Sequence, residues 1–254
     1  MRFIWPYPKV FAHRGGGALA PENTLAALRC GLARGFHAVE FDVMLTHDEV
    51  PILMHDPVLG RTVAGSGDIP ALTMEQLSSM DAGGWFGEAF KGEKIPTYEQ
   101  AFTFCRSHSI WMNVEIKPAP GFEMQTGAVV GAATRRLLEA EPSAHVDVGK
   151  LPLLSSFSFD ALLAVKQAAP DLPRGYLVDV IPNDWHGLLD RLGAVALHTN
   201  HKNLTRAQAQ AVKDAGFGLF CYTVNDTARA TEILSWGVDA FCTDRIDLIG
   251  ADFV

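Results

Sequence analysis

The sequence predicts an α/β protein that folds as a (β/α)8 TIM barrel with a small subdomain inserted after the second strand. Its 254 residues match the usual size of such a barrel, about 250 residues. Short apolar β-type runs alternate with helical patterns along most of the chain, as a parallel sheet requires. Two smaller domains would also fit this length, but the regular alternation favours one domain over residues 1–254.

The first strand and helix of this alternation are predicted near the amino terminus. Residues 10–13 form an apolar run, and a helix is expected from about Pro21 to Gly35. Proline is favoured early in a helix, and glycine commonly follows a helix end. Leu25, Leu28 and Leu32 share one face, which predicts that this face packs on the barrel.

Seven further barrel strands follow, each after a helical pattern or a long connection. They are expected at residues 38–45, 111–117, 151–157, 174–180, 194–198, 217–224 and 239–243. The two segments 205–216 and 226–237 are helical in pattern and end in glycine just before the next strand. The total of eight strands predicts a closed barrel rather than a doubly wound sheet.

One interval departs from the alternation. Asp42 and His55 are too close in sequence for a parallel crossover, which needs a dozen or more residues. We therefore expect residues 44–55 to form a hairpin that brings His55 back to the height of Asp42. The glycine-rich and polar segment from Pro57 to Pro96 is too long for a simple loop and predicts an inserted cap over part of the rim.

Three carboxylates are expected at the tops of neighbouring strands. Glu40 and Asp42 are two residues apart on one strand, so their side chains share a face, and Glu115 occupies the same place on the next strand. Oxygen ligands of this kind suit a hard divalent ion, most of all Mg²⁺, with Ca²⁺ and Mn²⁺ as alternatives. A simpler interpretation is that the acids only form ion pairs with nearby lysines and arginines.

Positive charge and imidazoles are expected at the same rim. Arg14 and Lys117 match the needs of phosphate binding, although salt bridges to the acids would explain them too. His13 and His55 are candidates for the general acid and base of P–O cleavage, because imidazole exchanges protons near neutral pH. A histidine alone is more often a satisfied core residue; two beside a carboxylate cluster favour catalysis.

Aromatic side chains are candidates for the walls of a pocket that would bind a small polyol. Phe157 and Tyr222 follow predicted strand ends, and Trp85 lies in the inserted segment. Core packing explains each of them equally well.

Composition narrows the partners and the compartment. Lys plus Arg number 21 against 29 Asp plus Glu, a net charge of −8, which argues against nucleic acid or an anionic membrane as the main partner. The four cysteines have no C-x-x-C spacing and are expected to be free thiols. Since the sequence also lacks a signal-peptide pattern, we expect a cytoplasmic protein without stable membrane association. The sequence does not indicate an oligomeric state.

Several motifs together resemble the glycerophosphodiester phosphodiesterase family, especially its cytoplasmic bacterial members. They are HRGGGALAPENT, EFDVMLTHDEVPILMHD, VEIKP, LLSSF, YTVND and GVDAFCTD. The resemblance extends over nearly the whole chain. It implies a TIM barrel with an insertion after the second strand, and hydrolysis of glycerophosphodiesters to glycerol 3-phosphate and an alcohol.

By this resemblance the site residues take definite roles. Glu40, Asp42 and Glu115 would bind the metal ion, His13 and His55 would be the acid and base, and Arg14 and Lys117 would contact the phosphate. The nucleophile is left open between the adjacent glycerol hydroxyl, which would give a cyclic phosphate, and water. Two alternatives remain: a phospholipase-like barrel acting at a membrane, and a barrel that binds a phosphorylated metabolite without catalysis.

Overall fold

The protein is described by a computed structural model over residues 3–141 and 151–254. The strands within these residues are β1 (Val10–Ala12), β2 (Ala38–Leu45), β3 (Pro51–Leu53), β4 (Trp111–Ile116), β5 (Leu153–Ser156), β6 (Arg174–Val178), β7 (Ala196–Asn200), β8 (Gly218–Tyr222) and β9 (Ala240–Thr243). All except β3 run parallel, and β1 pairs with both β2 and β9, so the eight parallel strands close into a barrel. The predicted (β/α)8 fold is therefore confirmed.

Helices lie between the barrel strands. Their bounds are α1 (Leu25–Ala33), α2 (Met74–Ser78), α3 (Tyr98–Ser107), α4 (Glu123–Glu139), α5 (Phe159–Ala168), α6 (Trp185–Leu192), α7 (Arg206–Asp214) and α8 (Thr227–Ser235). Helix α2 belongs to the inserted segment, and the other seven each precede a parallel strand. Of the helices described in residues 3–141 and 151–254, none is long and apolar enough to cross a membrane.

The first helix begins later than its sequence pattern suggested. It starts at Leu25, not near Pro21, because Thr24 is the N-cap: its side chain accepts a hydrogen bond from the Ala27 amide at 3.1 Å. The Thr24 hydroxyl also donates to the carbonyl of Pro21 at 2.7 Å, which fixes the preceding residues in a turn. The helix ends just before Gly35, whose φ is +83°.

The predicted hairpin after β2 is present. Strand β3 runs antiparallel to β2, with Val43 opposite Leu53 and Leu45 opposite Pro51. The Met54 amide then donates to the carbonyl of Asp42 at 3.2 Å, which places His55 beside the end of the carboxylate pair on β2.

Residues 57–96 pack on this hairpin through a hydrophobic cluster separate from the main core. The segment contains α2 and short 3-10 turns at Ile69–Ala71 and Glu88–Phe90. The cluster contains Met44, Ile52 and Met54 beside Val63, Ile69, Leu77, Ala82, Ile95 and Ala119. The insertion is thus attached to the barrel through the strands that carry Asp42 and lead to His55.

Aromatic side chains fill the barrel at the amino ends of its strands. Tyr7 stacks on Trp111 with ring centroids 3.6 Å apart, and Trp5 contacts Tyr7 edge to face. Gly218 leaves the space that Trp5 occupies, since a Cβ there would lie 2.9 Å from the indole ring. This packing closes the bottom of the barrel, so the opposite end, where the strands terminate, is the open one.

Candidate active site

The three predicted carboxylates lie together at the carboxyl ends of two adjacent strands. Asp42 on β2 is in register with Glu115 on β4, and Glu40 lies two residues before Asp42 on the same face. One oxygen from each carboxylate lies within 4.8 Å of the others. All three side chains are buried, and Oε1 of Glu40 has no hydrogen-bond partner. A dense set of buried oxygen donors with an unpartnered member suits a divalent cation.

The pKa shifts of the three carboxyl groups reflect their burial and their closeness to one another. Burial and the neighbouring carboxylate of Asp42 raise the pKa of Glu40 to about 8. Burial and Asp42 also raise the pKa of Glu115 above its ordinary value. Burial acts in the same direction on Asp42, but the positive charges of Lys117 and Arg14 outweigh it and hold that pKa low. Without a cation the triad therefore retains a proton near neutral pH, and a bound cation would displace it.

Lys117 and Arg14 lie against the triad. Nζ of Lys117 is 3.0 Å from Oε1 of Glu115 and 3.5 Å from Oδ1 of Asp42. Nε of Arg14 is 3.6 Å from Oδ2 of Asp42, and the Arg14 amide donates to Oε2 of Glu40 at 3.1 Å. The ion pairs of the simpler interpretation exist, and both cations also face the cavity where an anion would bind.

His13 follows β1 and points into the same site. Its Nε2 is 3.7 Å from Oε2 of Glu40, and its Nδ1 forms a 2.5 Å hydrogen bond with Oδ1 of Asp244, just after β9. Burial alone would lower the pKa of His13, but the hydrogen bond to Asp244 and, when it is ionised, the carboxylate of Glu40 raise it above the ordinary value. The pKa of His13 is thus shifted in the direction that favours its protonated form.

The pKa of the second histidine, His55, is shifted in the opposite direction. Its Nδ1 forms a 2.6 Å hydrogen bond with Oδ1 of the adjacent Asp56. Burial, together with the positive charges of Arg14 and Lys117, lowers the pKa of His55 below its ordinary value and outweighs the opposing effects of Asp42 and Asp56. The two imidazoles at this rim therefore differ in protonation tendency, the pattern expected of an acid and a base.

Several polar residues of the site were not singled out from the sequence. Asn23 donates to Oδ2 of Asp42 at 2.8 Å and accepts from the Asp42 amide at 3.1 Å. Nη1 of Arg14 donates to Oε1 of Glu22 at 2.6 Å. Arg14 and Asn23 both have positive φ, +52° and +58°, which shows that the loop after β1 is held in a special conformation. The PEN triplet within the first motif was the available signal for Glu22 and Asn23.

The site residues line a cavity of about 220 Å³ at the open end of the barrel. Its walls include Phe157 and Tyr222, whose rings pack edge to face with centroids 5.5 Å apart. Phe157 and Lys117 also line a second cleft of about 410 Å³. Trp85 does not line the inner cavity; it is 45% exposed, and its Nε1 donates to the carbonyl of Ala82 at 2.9 Å. Its contact with a substrate stays a prediction.

A closed parallel barrel with polar residues gathered at the carboxyl ends of its strands is the arrangement that (β/α)8 enzymes use. The family model of the glycerophosphoryl diester phosphodiesterase family matches residues 13–248. The chain therefore belongs to this family, as its motifs predicted, and is an enzyme of the hydrolase class.

Individual relatives agree with this assignment. A glycerophosphodiester phosphodiesterase of Caldanaerobacter subterraneus is 32% identical over 92% of this chain and 93% of its own length. A phosphodiesterase of Oleispira antarctica, solved in complex with the product sn-glycerol-3-phosphate, superimposes with a TM-score of 0.85 at 35% identity, covering 93% of both chains. A glycerophosphodiester phosphodiesterase of Agrobacterium tumefaciens gives a TM-score of 0.76 at 27% identity, covering 95% of this chain and 98% of that one.

Proposed function

We propose that this protein hydrolyses glycerophosphodiesters to glycerol 3-phosphate and an alcohol in a reaction that depends on one divalent metal ion. The observation that carries the proposal is the single cavity in which a buried carboxylate triad meets two histidines of opposite protonation tendency. The Oleispira relative with bound sn-glycerol-3-phosphate supports the choice of product.

Glu40, Asp42 and Glu115 would hold the ion, and Mg²⁺ fits a set of oxygen donors best, with Ca²⁺ and Mn²⁺ as alternatives. The ion would supply charge for the phosphoryl oxygens and lower the pKa of the attacking hydroxyl. Arg14 and Lys117 would bind the remaining phosphate oxygens. An arginine can do so with two parallel hydrogen bonds, whereas a lysine acts as a point charge.

The histidines take the two proton transfers. His55, whose pKa is lowered, would accept the proton of the nucleophile as general base. His13, whose pKa is raised, would give a proton to the departing alkoxide as general acid. With water as the direct nucleophile, these two transfers complete the reaction. With the neighbouring glycerol hydroxyl as nucleophile they give a cyclic glycerol phosphate, and the roles would then reverse: His13 would accept a proton from the water that opens the ring, and His55 would return its proton to the glycerol oxygen. A transient cyclic glycerol phosphate in quenched reactions would identify this second route.

The substrate is a small water-soluble molecule in this proposal. Phe157 and Tyr222 would contact its organic part within the inner cavity, and residues 57–96 would act as a cap on the single domain of residues 1–254. A net charge of −8 makes nucleic acid and anionic membranes poor partners. The four cysteines, Cys30, Cys105, Cys221 and Cys242, are free, which is compatible with the proposed cytoplasmic location.

The test is release of glycerol 3-phosphate from glycerophosphocholine, measured with added Mg²⁺ and again with excess EDTA. We expect product only with the metal. Absence of product from every glycerophosphodiester and metal tried would reject the proposed reaction, and full activity in EDTA would reject its metal dependence.

A further inference from the structure

Arg61 lies in the inserted segment, does not line the inner cavity, and binds two carboxylates at once. Its Nη1 and Nη2 donate to Oε2 and Oε1 of Glu22, respectively, each at 2.7 Å. Its Nε donates to Oδ2 of Asp56 at 2.5 Å. All three guanidinium nitrogens are thus used, and the planar group fixes the two carboxylates relative to each other.

Each of these two carboxylates also forms a hydrogen bond with a residue of the candidate active site. Glu22 also accepts a hydrogen bond from Nη1 of Arg14 at 2.6 Å, and Nε of Arg14 in turn lies 3.6 Å from Oδ2 of Asp42. Asp56 also pairs with Nδ1 of His55 at 2.6 Å. The two routes start from one guanidinium and end at the candidate phosphate-binding residue and the candidate base.

An ion pair on the surface usually contributes little to stability, so the exposure of Arg61 and its partners matters. Arg61 is 45% exposed, but its partners are much less so: the Glu22 side chain is 14% exposed and that of Asp56 is 23%. His55 follows the hairpin whereas Arg14 follows β1, so the two residues belong to different segments, each of which pairs with β2. Arg61 connects these two segments directly.

We propose that Arg61 is a positioning residue that sets the location of His55 relative to Arg14, so that the inserted segment takes part in aligning base and phosphate. This inference rests on the proposed function, in which His55 accepts a proton and Arg14 binds the phosphate. A displacement of catalytic groups by about 1 Å can reduce a rate by about 10²-fold, and loss of a partner that orients a site residue costs roughly 10- to 100-fold.

The chain provides a matched control in Arg29. This arginine on α1 donates to Oε1 and Oε2 of Glu93 at 3.3 and 3.2 Å, and so also joins the barrel to residues 57–96. It contacts none of the site residues through these bonds. Arg29→Ala therefore measures the effect of loosening the insertion, and Arg61→Ala measures that effect together with misalignment.

The experiment compares kcat and KM for glycerophosphocholine at saturating Mg²⁺ in the wild type, Arg61→Ala, Arg61→Lys and Arg29→Ala, with Tm measured for each. We expect kcat to fall and KM to rise in Arg61→Ala, with kcat/KM reduced roughly 10- to 100-fold. Arg29→Ala should stay within about twofold of the wild type. Arg61→Lys should resemble Arg61→Ala, because an ammonium group cannot replace the planar guanidinium that donates hydrogen bonds to both carboxylates.

The two routes are separated by a second pair of variants. Glu22→Gln should mainly raise KM, since it releases Arg14, whereas Asp56→Asn should mainly lower kcat, since it releases His55. Adding Arg61→Ala to either variant should reduce kcat/KM by a smaller factor than it does in the wild type, because one of the two connections from Arg61 is already broken in that variant.

Equal kinetics of Arg61→Ala and Arg29→Ala would overturn the inference, and so would full activity in Arg61→Lys. If Arg61→Ala proves unfolded, the kinetics of folded Arg61→Lys decide instead. A wild type that hydrolyses no glycerophosphodiester would reject the proposed function itself, a result distinct from any difference between the variants.

Discussion

His13 Nδ1 lies 2.5 Å from Asp244 Oδ1, although the two residues are 231 positions apart in the chain. The barrel makes this contact because its first and last strands, β1 and β9, are neighbours. Asp244 is held from its other side by Asn225, whose Nδ2 donates to Oδ2 at 2.8 Å and whose Oδ1 accepts from the Asp244 amide at 2.8 Å. Closure of the barrel therefore also orients the candidate general acid.

Replacing Asp244 with Asn should move the alkaline limb of the pH profile of kcat/KM to lower pH. His13 acts as an acid only while protonated, and its activity is lost as pH rises through its raised pKa. Without the Asp244 carboxylate the effect of burial prevails and the pKa of His13 falls. Asp214→Asn, at the exposed end of α7, is a suitable control. An unshifted alkaline limb in Asp244→Asn would show that Asp244 does not tune His13.

The contrast between Asp42 and Asp244 shows what the sequence could and could not predict. Glu40, Asp42 and Glu115 were predictable, because side chains two apart on a strand share a face and neighbouring parallel strands end at one rim. Asp244 also follows a strand, but nothing local indicates that it pairs with His13. Such a contact depends on the pairing of β1 with β9 and on the direction that each side chain takes just after its strand.

The start of α1 and the role of Arg61 depended on side-chain contacts that a pattern does not reveal. Pro21 was compatible with an early helical position, yet the hydrogen bonds of Thr24 set the helix start at Leu25. Arg61 lies in a segment with weak periodicity, so its reach to Glu22, 39 residues earlier, was not visible in the sequence. The contacts of long polar side chains in loops are therefore the features of this site that could not be predicted from the sequence.

Asp42→Asn should greatly weaken metal binding and turnover while the barrel stays folded. Asp42 is the member of the triad whose pKa is held low, so it is ionised near neutral pH and supplies negative charge for a cation. Loss of a ligand should exceed the roughly 10- to 100-fold effect of losing a ligand's hydrogen-bond partner. Calorimetric titration with Mg²⁺ and steady-state kinetics measure the two effects, and circular dichroism checks the fold. Wild-type turnover in Asp42→Asn would contradict the metal site.

Metal binding should release a proton when the pH is below about 8. Burial and Asp42 raise the pKa of Glu40 to about 8, so this carboxyl is largely protonated in the metal-free protein at pH 7. A bound cation requires the carboxylate, and metal affinity should fall as pH falls through that value. Calorimetry at pH 7 in two buffers with different enthalpies of ionisation gives the number of protons released. Identical binding enthalpies in both buffers would mean that Glu40 is already ionised.

The inner cavity should exclude diacylated phospholipids while it admits water-soluble glycerophosphodiesters. Its volume of about 220 Å³ accommodates a glycerol phosphate with a small substituent, whereas two acyl chains would have to remain outside. If residues 57–96 cover the rim as proposed, Trp85 adds to this barrier, and Trp85→Ala should relax it slightly.

Turnover of phosphatidylcholine vesicles should be far slower than that of glycerophosphocholine at equal phosphorus concentration. Micelles of short-chain phosphatidylcholine serve as the control for poor access to a bilayer, because their lipids exchange freely with solution. Equal turnover of phosphatidylcholine and glycerophosphocholine would favour a phospholipase that works at membranes.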